Sequence, residues 1–248
     1  MSTAPPPTLV RLTGVELRKL GDTRAGYWLL ILIGLVAAII VTVQLFAYDA
    51  EGQTFGNFFL PSLIPVAVLL PILGILSVTS EFSQRTALNT FALVPQRHRV
   101  IAAKLAAGVL AALASVLVSL VVAAIGTLIA GATGGAGTWR MPTIMIAYAA
   151  LFQVVNVVMG VAFGMLLLNS PLAIVGYLVL PTAWSILGEL VAGLRRAAEW
   201  LDIGVTLAVL TTPDVTAGQW ARMGTSVLLW VVAPMAAGLV RMLRREVA

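Results

Sequence analysis

Cysteine is absent from the 248-residue chain, and histidine occurs once, at His98. The first absence excludes disulfides, thiolate metal sites and a cysteine nucleophile; the second excludes a zinc site built on paired histidines such as H-E-x-x-H. Charge is scarce as well. Asp, Glu, Lys and Arg make up 10% of the residues, where a soluble domain carries roughly a quarter. No G-x-x-x-x-G-K-[ST] occurs, and Gly134, Gly135 and Gly137 lack the following lysine and hydroxyl residue of a phosphate-binding loop. The first twenty residues carry charges and no apolar h-region, so no cleavable signal peptide is expected.

What is present is apolar. Hydrophobic residues make up 60% of the chain, and the mean hydropathy is +1.03. They come in unbroken runs of about twenty residues rather than the alternating segments of about ten that build a barrel. The expected fold is all-α: a polytopic membrane helical bundle forming a single domain over 1–248. Six spans are expected at about 27–46, 58–79, 105–130, 144–168, 172–188 and 223–240.

Ahead of the first span, residues 8–24 read as an amphipathic interfacial helix. At about 100° per residue, Leu9, Val10, Leu12, Leu17 and Leu20 fall on one side, with Arg11, Arg18 and Lys19 largely opposite. Glu16 falls inside the apolar arc, where it either pairs with a basic residue or snorkels at the helix edge. The second span carries Pro61, Pro65 and Pro71, which free backbone carbonyls and permit kinks. In the third, small residues recur every fourth position, at Ala103, Ala107, Ala111, Ser115, Ser119, Ala123, Thr127 and Gly131. This is a packing seam, either within the chain or between subunits.

In the fourth span Gln153, Asn156, Gly160 and Gly164 share a face, either to line a polar pathway or to pack and hydrogen-bond a neighbouring helix. Asn169, Ser170 and Pro171 make a tight turn into the fifth span. Between the fifth and sixth, Arg195, Arg196, Glu199, Asp202 and Asp214 punctuate short apolar runs. The run 203–210 is too short to cross a membrane and suits a re-entrant or interfacial helix, with Trp200 and Trp220 placed as interfacial anchors.

With six spans both termini lie on one side, together with the loop after span two. That side holds Arg11, Arg18, Lys19, Arg24, Arg85, Arg97, Arg99, Lys104, Arg241, Arg244 and Arg245; the other holds Arg140, Arg195, Arg196 and Arg222. Eleven of the fifteen basic residues therefore point to a cytoplasmic location for both termini and for residues 81–104. Within that stretch, 83–93 is compatible with a short helix carrying Leu88, Phe91 and Ala92 as apolar contacts and stopped by Pro95. A basic hinge follows at 96–99. The basic half, from Arg97 to Lys104, reads as topology and headgroup anchoring.

The order Glu81, Arg85, Thr86, Pro95, Arg97 and Lys104 after a second span resembles the cytoplasmic loop of ABC-2 type transporter permeases. Glu16, Leu17, Arg18, Lys19 and Arg24 look like the connecting helix of that family. Arg85 departs from the glycine often found before the threonine of the loop. The resemblance implies the membrane-spanning subunit of an exporter in a bacterial cell (inner) membrane. Such a subunit forms a dimer with a second permease copy or paralogue, and carries a drug, lipid or peptide antibiotic. It is not itself an enzyme and holds no cofactor; ATP and Mg belong to a separate cytosolic nucleotide-binding ATPase. That partner would dock on a coupling helix opened by Glu81, through Arg85, Leu88 and Phe91, and on Glu16, Arg18 and Lys19.

Two other classes compete. A membrane enzyme acting on lipid headgroups needs clustered ionisable groups at membrane depth, where the spans offer Gln44, Gln153 and Asn156. An ion-coupled secondary transporter or channel needs a membrane carboxylate, and only Glu189, near a span end, is apparent.

Overall fold

Threonines set the first two helix starts. Thr8 accepts a hydrogen bond from Arg11 N and opens α1 (Leu9–Asp22). Thr23 is the single non-helical residue before α2 (Arg24–Ala47), which it caps by accepting from Gly26 N at 3.1 Å. The computed structural model describes residues 7–83 and 96–244. The expected helix at 83–93, with Arg85, Leu88 and Phe91, lies almost wholly outside the described residues.

Beyond α2 come α3 (Phe55–Ser62), α4 (Ile64–Ser83), α5 (Arg97–Ala132), α6 (Ile144–Leu167) and α7 (Ser170–Leu190). Two short helices, α8 (Arg195–Leu201) and α9 (Ile203–Ala208), precede α10 (Ala217–Val227) and α11 (Ala233–Arg244). No strand forms among the described residues. Among the described residues, six segments are long and apolar enough to cross a membrane: Arg24–Ala47, Phe55–Phe82, His98–Ala132, Ile144–Leu167, Ser170–Leu190 and Ala217–Arg244. They match the six expected spans, with the third beginning seven residues and the sixth six residues earlier than expected. Arg97 to Arg99 are the first turn of α5 rather than a hinge, because nothing after Pro95 interrupts a helical run.

The second span is broken at Leu63, and its freed carbonyls are taken up by neighbouring helices. Pro61 has no N–H to give Asn57 O, and Gln44 Nε2 of α2 donates there instead at 2.8 Å. Pro71 leaves Ala67 O in the same position, and the Tyr177 hydroxyl of α7 donates to it at 3.3 Å. At the break, Gln153 Nε2 donates to Leu63 O at 3.1 Å. The prolines therefore specify which polar side chains α2, α6 and α7 must present. Near Pro234, the helix between α10 and α11 widens into a π turn in which Ala233 N donates to Leu228 O.

Helix α6 is central, packing on α4, α5, α7 and α11. Its glycines set how close its neighbours come. A Cβ on Gly160 would collide with the backbone of Pro71, and one on Gly164 would meet Ile75 O at 3.1 Å. In return, a Cβ on Gly74 of α4 would lie 3.2 Å from Val157 O, and one on Gly238 of α11 only 2.7 Å from Met165 Cβ. The small-residue ridge of α5 proves to be an inner face: Ala103, Ala107, Ser119, Ala123 and Thr127 are all buried within the chain. Leu117, Val118, Val121, Ile125 and Leu128 cover its opposite, exposed side. The fourth span ends at Leu168 in the left-handed conformation, and Asn169 caps α7 through Leu172 N.

One end of the bundle gathers the end of α4, the start of α5, the end of α6 and the end of α11. Val78, Ile101, Met165, Leu168 and Met242 form a common apolar cluster there. Arg241 donates across it to Leu166 O. Helix α1 lies against α5, α2 and α4.

Candidate functional site

At that same end, four ionisable side chains meet between α1, α4 and α5. The inward positions of α1 are Thr13, Glu16 and Leu20, a spacing that keeps one stripe facing the bundle. The last turns of α4 supply Ser77 O and Glu81. Lys104 comes from the second turn of α5, flanked by Ala103, Ala107 and Gly108, whose small size lets the neighbouring backbones close over an ammonium group.

Lys104 Nζ lies 2.7 Å from Glu16 Oε2, 3.0 Å from Glu81 Oε1 and 2.7 Å from Ser77 O. These three acceptors use all its donors. Lys19 Nζ lies 2.8 Å from Glu16 Oε1 and 2.9 Å from Glu81 Oε1. Side-chain exposure is 2% for Lys104, 7% for Glu16 and 9% for Glu81, against 44% for Lys19. Two carboxylates and two ammonium groups sum to zero, so the cluster satisfies the condition under which charges tolerate burial.

Lys19, outside the spans, feels two opposed effects. Burial disfavours its charge, but the hydrogen bonds and charges of Glu16 and Glu81 outweigh that and hold the ammonium above the ordinary lysine value of 10.5. Its contribution is therefore fully present below pH 10.5 and is lost only as the pH rises through the higher folded value.

Glu16 thus pairs with basic residues of its own chain rather than snorkelling at the helix edge. Lys104 corrects the sequence reading: it does not anchor headgroups, because it is sealed inside the bundle. The expectation that the spans hold no carboxylate apart from Glu189 is also revised, since Glu81 falls within the Phe55–Phe82 segment and is buried. Arg18 is exposed on the outer face of α1, away from the cluster. Leu9 and Val10, on the apolar side of the expected interfacial helix, are exposed.

The polar face of α6 packs. Gln153 is fully buried on Leu63 O, while Asn156 donates to Phe152 O at 2.8 Å and its Oδ1 lies 3.3 Å from the Tyr177 hydroxyl, whose single proton it shares with Ala67 O. Gly160 and Gly164 lie against α4. Ser77, Tyr177 and the buried role of Lys104 escaped the sequence reading. A lysine inside an apolar run, next to a ridge of small residues, was the signal that it had a partner.

Among the described residues no group of three or more histidine, aspartate and glutamate side chains is gathered where it could hold a metal ion. The quartet has no nucleophile and no free base; what it can do is join three helices. No family model and no curated protein matches the chain.

Proposed function

We propose that the chain is the membrane-spanning subunit of an ATP-binding cassette exporter of ABC-2 type, driven by a separate cytosolic ATPase. In this reading the end carrying α1, the quartet and the basic residues faces the cytoplasm. Helix α1 serves as the connecting helix, and residues 81–93 hold the coupling element. The carrying observation is the quartet: Glu16 and Lys19 of α1 meet Glu81 and Lys104, which bound the loop, in one buried junction. While the quartet is closed, force applied to either docking segment reaches α4 and α5 through its charge-assisted hydrogen bonds. Helix α6, gripped at glycines by α4 and α11, carries that displacement into the bundle. The short helices α8 and α9 lie at the opposite face as re-entrant or interfacial pieces.

Replacing Leu88 and Phe91 together by Asp tests the docking role. The variant inserts normally but loses the ATPase subunit on purification, or keeps it with transport uncoupled from hydrolysis. Normal association together with coupled transport counts against the proposal.

The buried carboxylates favour one competing reading, an ion-coupled carrier that binds its coupling ion at Glu16 or Glu81. It requires transport by the isolated chain under an ion gradient without nucleotide.

A further inference from the structure

The quartet divides in a particular way. Glu16 and Lys19 lie on α1 and pair with each other at 2.8 Å, while Glu81 and Lys104 lie on the bundle and pair at 3.0 Å. Each half is neutral by itself. Separating α1 from the bundle therefore breaks the Glu16–Lys104 and Lys19–Glu81 contacts without leaving an unpaired charge on either side.

Two further observations concern the same contact. The only buried residues of α1 are Thr13 and Glu16, both polar, while its apolar contacts, Leu20 among them, are half-buried, so ionic contacts carry much of its attachment. Beneath it, Glu16, Leu20, Gly74, Ser77, Lys104 and Gly108 border a cavity of about 10 Å³, room for a single water. Packing is thus incomplete where α1 meets the bundle, whereas the α4–α6 seam is closed to the limit that glycine allows.

From these features we infer that α1 is a detachable strap, which leaves and rejoins the bundle as a unit while the quartet parts into two neutral pairs. The inference rests on geometry and goes beyond the transport reading: it requires neither an ATPase nor a substrate. Thr23, the single non-helical residue before α2, is the hinge.

The cysteine-free chain allows a direct test with spin labels on the full chain in lipid nanodiscs. One pair, at Val15→Cys and Ala102→Cys, reports α1 against α5. A second, at Ala102→Cys and Leu172→Cys, reports the bundle alone. The exchange E16K/K19E keeps the α1 pair neutral but sets like charges opposite Lys104 and Glu81. It is expected to raise the population at the longer Val15–Ala102 distance by roughly tenfold or more, the change expected for losing one charge-assisted hydrogen bond. The Ala102–Leu172 distance stays the same. An unchanged Val15–Ala102 distance overturns the inference, as does a shift of the bundle pair along with it. The milder E16Q/K19Q, which removes the α1 pair without adding repulsion, must move the first distance in the same direction.

Discussion

Lys104 decides whether the charged cluster holds the fold or merely decorates it. Replacing it with Met leaves Glu16 and Glu81 buried beside Lys19 alone, a net charge in a site only a few per cent exposed. Removing one partner of a buried ion pair costs about 3–5 kcal/mol. Lys104→Met is therefore expected to lower the yield of monodisperse protein in detergent sharply, whereas Lys19→Met, at the exposed corner, has a smaller effect. The pH response follows from the direction of the Lys19 shift. The thermal stability of the wild type relative to Lys19→Met is expected to be flat from pH 7 to about 10 and to fall only above the ordinary lysine value of 10.5. A loss beginning near neutrality would mean that another group governs the junction. Glu16 stood out in the sequence as an acid within an apolar arc, yet its partner was not legible there. Choosing Lys104 among fifteen basic residues requires knowing that α1 lies along α5.

Helices here are held by carbonyls that proline releases and by the glycines that set their spacing. Tyr177→Phe leaves Ala67 O without its donor and is expected to cost about 1 kcal/mol. In a Pro71→Ala background the helix regains its own N–H donor for that carbonyl, so the same substitution should cost less, losing only the contact with Asn156 Oδ1. Equal costs in both backgrounds would show that Tyr177 does not act through the proline gap. At the seam, Gly160→Ala presses a methyl group onto Pro71 and is expected to destabilise by about 1–3 kcal/mol. Gly14→Ala, where an added Cβ meets nothing within 4 Å, is expected to be neutral or to stabilise by up to about 1 kcal/mol. Melting in detergent reads both. The helices and their order were legible because each apolar run is long and uninterrupted. The break at Leu63 was half legible: Pro61 and Pro65 marked the place, but proline does not name the side chain that answers it. Gln153 and Asn156 illustrate the same limit, since a shared polar face is compatible with a pathway or a seam until the facing helix is known.

For the molecule as a whole, the six spans, the buried ridge of α5 and the ionic junction describe a membrane bundle in which α1, α4 and α5 are joined at one end. The loop between α4 and α5 and the outer face of α1 are the surfaces through which the proposed motor would act. Residues 84–95, including Arg85, Leu88 and Phe91, lie outside the described structure, so their role rests on the sequence resemblance and on the junction that brackets them. A substrate for the proposed transport was not legible in an apolar interior that suits many cargoes. The central claim is a motor supplied in trans, and the most direct measurement is purification of the tagged chain from its native membrane in mild detergent, followed by identification of its partners and an ATPase assay. The expected result is a nucleotide-binding subunit recovered with the chain, with hydrolysis present in the complex and absent from the chain alone. Recovery without any nucleotide-binding protein, combined with gradient-driven transport by the chain alone in liposomes, would contradict it.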